Sequence, residues 1–95
     1  MKKIVGIAGW SGSGKTTLVE NLIRIFKSKY NYSVCVLKHA HKHFSLDKKG
    51  KDSFKFSEAG ADQVIISSEK KWAIINNVID NEESLESLIA ATANV

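Results

Sequence analysis

The feature that most constrains the fold of this chain is a short motif close to its first residue. Residues 9–16 read GWSGSGKT, a complete match to the phosphate-binding pattern G-x-x-x-x-G-K-[ST]. An apolar run precedes the motif, and apolar residues at positions 18, 22, 25 and 26 follow it with the period of a helix. Strand, glycine-rich loop and helix are the context that this motif requires. A glycine-rich turn that binds nothing is disfavoured because both flanks match.

The chemistry of the motif assigns a role to each of its residues. Small residues let the backbone wrap closely around a phosphate, and the N–H groups of residues 13–17 are expected to form an anion-binding nest at the start of the helix. Lys15 is expected to reach the β- and γ-phosphates as a catalytic cation, and the Thr16 hydroxyl to ligate Mg²⁺. The predicted nucleotide-binding residues are Gly9, Ser11, Gly12, Ser13, Gly14, Lys15, Thr16 and Thr17.

The hydrophobic periodicity of the whole chain predicts an α/β fold. The predicted strands are residues 3–8, 33–38, 63–67 and 71–78, and the predicted helices are residues 15–28, 52–59 and 81–93. Gly60 is expected to end the second helix, and Asn81 to cap the last one, which would place Leu85, Leu88 and Ile89 on its inner face. A strand–helix–strand unit of this length implies a parallel sheet. We therefore predict a three-layer sandwich like that of P-loop NTPases, with a mostly parallel sheet plus a β-hairpin.

Composition limits the classes of protein to which the chain can belong. Its 95 residues suffice for one small domain, so residues 1–95 are predicted to form a single nucleotide-binding domain. Neither a membrane-spanning run nor a signal-peptide pattern is present, which favours a cytoplasmic protein without a membrane partner. Cys35 lies alone in an apolar run and is predicted to be a buried thiol. The net charge of +4 is concentrated in a lysine-rich stretch that suits an anionic small molecule better than nucleic acid.

A second group of candidate residues begins at the carboxyl end of the strand predicted over residues 33–38. In an open α/β sheet, ligands bind at the edge formed by the carboxyl ends of the strands. Cationic and hydrogen-bonding side chains at this edge would lie beside the phosphate-binding loop. The candidate anion- or substrate-binding residues are therefore Lys38, His39, His41, Lys51 and Asp52.

Two carboxylates near this segment are candidates for the magnesium site. Asp47 and Asp52 are both candidates for holding Mg²⁺ through water. Asp47 is predicted to do so together with Thr16 and to act as a catalytic residue. A helix cap or a solvated charge explains either carboxylate equally well. The histidines at positions 39, 41 and 43 alternate, so with Asp47 they are instead able to bind zinc.

Taken together, these motifs resemble the molybdopterin-guanine dinucleotide biosynthesis protein B family. The resemblance lies in GWSGSGKTT at 9–17, KHAHKHF at 38–44, GKDS at 50–53 and EAGA at 58–61, and it covers nearly the whole chain. It implies a GTP-binding accessory protein of molybdenum cofactor synthesis, with GTP and Mg²⁺ as cofactors. It further implies a homodimer with weak GTPase activity and a guanylyltransferase partner that joins GMP to molybdopterin.

The sequence departs from the family pattern at several positions. The family usually has paired histidines where this chain has His41-Lys42, and arginines where it has Lys55 and Ser57. Lysine does not replace arginine as a bidentate phosphate clamp. The family also continues past the final helix into a strand that ends in an acidic residue. The chain is therefore expected to be an N-terminal portion without that Walker B strand, which would bind nucleotide but hydrolyse it slowly.

Two other functions stay open on the sequence alone. A small P-loop kinase acting on an anionic metabolite would need an acceptor site and a lid, and neither is recognisable in the sequence. A non-enzymatic phosphate- or metal-binding module, built on the histidine segment, would bind metal without nucleotide. The behaviour of the purified chain towards nucleotide and metal distinguishes all three functions.

The hairpin over residues 63–78 also bears on assembly. A two-stranded hairpin is marginal alone and exposes edges that can pair. We expect it to pair with its counterpart in a second copy, giving a two-fold dimer with Trp72 in or beside the contact. In the alternative arrangement both strands extend the parent sheet as an antiparallel edge, and Trp72 packs on the monomer's own core.

Overall fold

A computed structural model of the chain describes residues 3–7, 14–39, 52–78 and 82–92. The elements that these residues form are, in chain order, helix α1 (Lys15–Ser28), strand β1 (Cys35–His39), helix α2 (Asp52–Glu58), strand β2 (Gln63–Ser67), strand β3 (Trp72–Asn76) and helix α3 (Leu85–Ala90). The predicted α/β class is confirmed, and most predicted elements are found within two residues of their expected bounds.

The strands of the described residues form one mixed sheet in the order β1-β2-β3. β1 runs parallel to β2, with Leu37 opposite Ile65, whereas β2 runs antiparallel to β3, with Ile65 opposite Ile74. A parallel pair requires a crossover connection, and α2 lies in it. The antiparallel pair is the predicted hairpin, closed by hydrogen bonds from Ser68 to the Lys71 carbonyl. The sheet is therefore mixed rather than mostly parallel, because the hairpin contributes one of its two strand pairings.

A small core forms where α1 packs on α2 and α2 packs on β2. Helical spacing directs one side chain in every three or four towards this core, and the two-residue period of β2 directs alternate side chains into it. Partly buried Val19, Val34, Val36 and Ile75 pack around its margin. The buried apolar residues are Ile23, Phe56, Ala59, Ala61, Val64 and Ile66. The central strand is thus the most deeply buried element of the described structure.

The opposite face of the sheet is not covered within the described residues. Leu37 is 68% exposed, Ile74 43% and Trp72 66%. The expected three-layer arrangement is therefore not seen in this part of the chain, which has helices packed on one face alone. Cys35 was expected to be buried, but it is exposed, because strand alternation places it on the uncovered face beside Leu37.

Two further predictions about individual elements are wrong. Residues 3–7 form neither helix nor strand, and Ile4 is 92% exposed. A strand needs a neighbouring edge for its hydrogen bonds, and these residues pair with no strand of the described sheet. Leu85, Leu88 and Ile89 of α3 are exposed rather than on an inner face, since no described helix or strand makes more than a slight contact with α3.

The ends of α2 and α3 follow local capping rules. Gly60 has a φ of 111° and donates to the Ser57 carbonyl, while Ala61 donates to the Phe56 carbonyl. This pair of bonds is the Schellman motif, so the predicted helix end at Gly60 is confirmed. α3 begins after Ser84, whose hydroxyl accepts a 3.1 Å hydrogen bond from the Ser87 N–H. The expected cap, Asn81, lies outside the described residues. No helix of the described residues is long and apolar enough to cross a membrane.

Asp62 ties the far end of α1 to the start of the sheet. Lys27 Nζ lies 2.9 Å and 2.8 Å from the two Asp62 carboxylate oxygens, and the Val34 N–H donates to Oδ2 at 2.7 Å. Burial would raise the pKa of Asp62, but the hydrogen bonds from Lys27 and Val34 and the Lys27 charge outweigh it and hold that pKa below its ordinary value. The ionised carboxylate is therefore the form that the fold stabilises.

Asp62→Asn is expected to lower the free energy of unfolding at pH 7 by about 1 kcal/mol, the order of a partly exposed charged hydrogen bond. Because the folded pKa is depressed, the contribution of Asp62 is present above about pH 4 and disappears as the pH falls through the folded value. Urea unfolding from pH 7 to pH 3 measures both effects. Glu20→Gln, which breaks the 3.7 Å pair between Glu20 and Arg24 within α1, is the matched control and should cost less than about 0.5 kcal/mol, as is usual for such a pair four residues apart on one helix. Parallel stability curves for wild type and Asp62→Asn below pH 4 would contradict the assignment.

Candidate functional site

The start of α1 coincides with the end of the glycine-rich motif. Gly14 has a φ of 88° and precedes Lys15, the first residue of α1, and its carbonyl accepts a 3.0 Å hydrogen bond from the Leu18 N–H. A residue with a side chain would be strained at this φ, which explains why glycine stands here. The first turn of α1 contains no acidic residue. Its unpaired N–H groups and its dipole therefore favour an anion.

Asp52 brings the starts of two helices and the end of a strand together. Thr16 Oγ1, in the first turn of α1, donates a 3.2 Å hydrogen bond to Asp52 Oδ1. Lys38 Nζ, near the carboxyl end of β1, donates to Asp52 Oδ2 and forms an ion pair with it. Asp52 is itself the first residue of α2. We refer to Thr16, Lys38 and Asp52 as the Asp52 cluster.

Within the Asp52 cluster, the carboxylate of Asp52 is better shielded from solvent than the side chain of Lys38. The Asp52 side chain is 21% exposed and that of Lys38 is 42% exposed. Asp52 also lies in the first turn of α2, where a negative charge interacts favourably with the helix dipole. The carboxylate is thus fixed by its helix and its two partners, while the Lys38 side chain is the more exposed member of the ion pair.

The structure brings some of the predicted site residues together and separates others. Lys38 lies on the helix-covered face of the sheet with Val36, but His39 is exposed on the opposite face, because successive strand residues alternate. His39 is therefore not part of the Asp52 cluster. Lys15 and Thr16 are partly buried and Thr17 is exposed at the start of α1. The predicted residues Gly9, Ser11, Gly12, Ser13, His41, Asp47 and Lys51 lie outside the described residues.

The oxygen atoms of Thr16 and Asp52 suit a magnesium ion. Among the described residues, no group of three or more histidine, cysteine or acidic side chains is arranged to hold a metal. Magnesium at nucleotide sites uses one or two protein oxygens, several waters and the phosphates instead. Adjacent ligands of an octahedral ion with bonds of about 2.1 Å lie about 3 Å apart. The 3.2 Å between Thr16 Oγ1 and Asp52 Oδ1 is close to that separation.

Comparison with known proteins identifies the family. The sequence model of the family described as Molybdopterin guanine dinucleotide synthesis protein B matches residues 4–95. The chain belongs to this family. The resemblance that the motifs had indicated is thereby confirmed.

Proteins of two bacteria and one further organism align with most of the chain. It is 47% identical over 72 residues to a molybdopterin-guanine dinucleotide biosynthesis adapter protein of Haemophilus influenzae, covering 76% of the chain and 40% of that protein. The identity to the adapter protein of Escherichia coli is 39% over 83 residues, which cover 87% of the chain and 47% of the relative. A putative adapter protein of Methanocaldococcus jannaschii is 31% identical over 86 residues, 90% of the chain and 35% of the relative. The chain thus spans less than half the length of these relatives.

Ser53, next to Asp52, was not singled out from the sequence. It is 2% exposed, and its hydroxyl has no hydrogen-bond partner among the residues that the structure describes. A buried hydroxyl without a partner costs about 1–3 kcal/mol of desolvation. The spacing of Ser53 and Phe56 on the inner side of α2 is the sequence signal that marks Ser53 as buried. A polar side chain at such a position is unfavourable for folding.

Ser53→Ala is expected to leave stability unchanged or to raise it by up to about 1 kcal/mol, because it removes an unsatisfied buried hydroxyl. Ser57→Ala on the same helix is the matched control. The Ser57 hydroxyl accepts a 3.0 Å hydrogen bond from Asn77, and its loss should cost about 0.5–1 kcal/mol. Chemical denaturation of the two variants measures both changes in the free energy of unfolding. A loss of more than about 1 kcal/mol in Ser53→Ala would show that its hydroxyl is satisfied.

Proposed function

We propose that this chain binds GTP with Mg²⁺ through a P-loop and acts as an accessory protein in the synthesis of molybdopterin guanine dinucleotide. The proposal is supported by the complete motif at residues 9–16, by α1 starting at Lys15, and by the adapter names of the relatives. It includes a P-loop NTPase-like fold and a cytoplasmic location. The preference for guanine and the guanylyltransferase partner rest on family membership.

The observation that carries the nucleotide site is the contact between Thr16 and Asp52. Thr16 is the hydroxyl residue of the motif, and Asp52 comes from a different element, yet their oxygens lie 3.2 Å apart. A carboxylate beside the motif hydroxyl is the arrangement that a magnesium-bound nucleotide requires. No such contact is expected from a glycine-rich turn that binds nothing.

Each residue of the proposed site has a distinct task. The N–H groups at the start of α1 would hydrogen-bond the phosphate oxygens, and the Lys15 ammonium would neutralise their charge. Thr16 and Asp52 would hold the metal, and Asp47 stays a second candidate for that role. When bound, Mg²⁺ would supply positive charge that neutralises the phosphates. Hydrolysis is proposed to be slow, so that nucleotide binding rather than turnover serves the accessory role.

Calorimetric titration with GTP and with ATP, in Mg²⁺ and in EDTA, tests the site. Lys15→Ala is expected to weaken triphosphate binding by more than about tenfold, because it removes a charge-assisted contact. Asp52→Asn should weaken binding in Mg²⁺ but not in EDTA. Lys29→Ala, which changes an exposed lysine just after α1, is the matched control. Equal affinities of wild type and Lys15→Ala for the triphosphate would contradict the proposed site. Transfer of phosphate to an added metabolite would instead indicate a kinase.

We also propose a homodimer assembled through the hairpin. β3 lies at one edge of the described sheet, so its outer hydrogen-bonding groups are available for a second copy. Trp72 and Ile74 are exposed on the uncovered face next to this edge, so Trp72 does not pack on the monomer's own core. The other part of that alternative is correct, because the hairpin extends the parent sheet with β3 as an antiparallel edge strand. A two-fold pairing of hairpins would use the edge and place these side chains beside their counterparts on the extended face.

Sedimentation at micromolar concentration is expected to give a dimer for the wild type and a monomer for Ile74→Asp, since a buried unpaired charge opposes association. Trp72→Ala should weaken the dimer because it removes a large apolar contact. Leu85→Asp, at a similarly exposed apolar residue of α3, is the matched control and should stay dimeric. A monomeric wild type, or a dimer that both hairpin variants leave unchanged, would remove the hairpin from the interface.

A further inference from the structure

The Asp52 carboxylate is already engaged on both of its oxygens. Oδ1 accepts from the Thr16 hydroxyl, and Oδ2 is paired with the Lys38 ammonium. A divalent cation that approached Thr16 and Asp52 would therefore meet a positive charge held on the same carboxylate. The electrostatic cost is substantial, because Asp52 is largely shielded from water and screening there is weak.

We propose that Lys38 is a counter-ion gate, which keeps free divalent cations from Thr16 and Asp52 until a nucleotide phosphate draws its ammonium away. This inference rests on the proposed nucleotide site and adds a residue that regulates metal entry. Lys38 is thereby a positioning residue that acts through Asp52. The ion pair between Lys38 and Asp52 is the closed state of the gate.

The geometry allows the gate to open without rearrangement of the fold. The backbone of Lys38 is fixed in β1, where it is in register with Ile66 of β2. Its side chain is 42% exposed, so the four-carbon stem has room to turn towards a neighbouring anion. A phosphate at the start of α1 would offer that anion, and a charge-assisted hydrogen bond to it replaces the one given up at Asp52.

The gate couples the two ligands of the site. Metal alone has to overcome the Lys38 charge, whereas nucleotide and metal together provide a new partner for each charged group. Coupling between two ligands is reciprocal, so the metal strengthens nucleotide binding by the same factor as the nucleotide strengthens metal binding. Removal of the lysine charge should therefore raise the affinity for metal alone and reduce the coupling.

Titration with Mn²⁺, followed by electron paramagnetic resonance in the absence of nucleotide, tests the gate directly. Lys38→Met removes the charge but keeps most of the stem, and it should bind Mn²⁺ at least about tenfold more tightly than the wild type. Lys38→Arg keeps the charge and should behave like the wild type. The double variant Lys38→Met/Asp52→Asn should lose the gain. Lys29→Met, at an exposed lysine beyond α1, is the matched control and should change nothing.

The results also separate the gate from the proposed nucleotide site. Equal Mn²⁺ affinity of wild type and folded Lys38→Met would overturn the gate, even if nucleotide binds as proposed. A gain that persists in the double variant would place the metal away from Asp52 and overturn it as well. Failure of the wild type to bind nucleotide would contradict the proposed function. The Mn²⁺ titration without nucleotide would still measure how far the Lys38 charge lowers the affinity for the metal.

A second measurement decides the matter if Lys38→Met does not fold. In the wild type, the ¹⁵N resonance of the Lys38 ammonium should report its partner. It is expected to stay unchanged when Mg²⁺ is added alone and to shift when nucleotide and Mg²⁺ are added together. A shift with Mg²⁺ alone would show that the ion displaces the lysine unaided and would overturn the gate.

Discussion

A partly shielded carboxylate must be satisfied by the elements around it, and in this chain that constraint sets how α1, β1 and α2 meet. Asp52 receives a hydroxyl from α1 and an ammonium from β1, so a change in any of the three elements disturbs the other two. At the other end of α1, the Asp62 carboxylate is satisfied in the same way, by hydrogen bonds from the Lys27 ammonium and the Val34 N–H. Two aspartates thus hold one helix against the sheet.

Elements whose signals are local could be predicted from the sequence. The helix from Lys15 follows from period and motif, the strand over residues 63–67 and its hairpin from apolar residues and a polar turn, and the helix end at Gly60 from the need for a positive φ. Burial could not be predicted in the same way. Cys35 and the apolar residues of α3 are exposed because their burial depends on which surface faces them, and periodicity carries no such information.

The candidate site shows the same division. The motif marks Lys15 and Thr16, and the position at the carboxyl end of a strand marks Lys38, but nothing in the spacing indicates that Lys38 pairs with Asp52. That contact depends on how β1 and α2 are placed on α1, which is a property of packing. Asp62 was missed for the same reason, since its three hydrogen bonds come from residues distant in sequence.

The attachment of α1 at both ends has a mechanical consequence. Thr16 and Lys27 are separated by about 16 Å at the helical rise of 1.5 Å per residue, and each is bonded to a different aspartate. An α-helix of this length behaves as a stiff rod. A displacement of Thr16 at the start of α1 would therefore be carried to Lys27, Asp62 and the beginning of β1. The helix thus connects the carboxyl end of β1, through Asp52, to the start of the same strand, through Asp62.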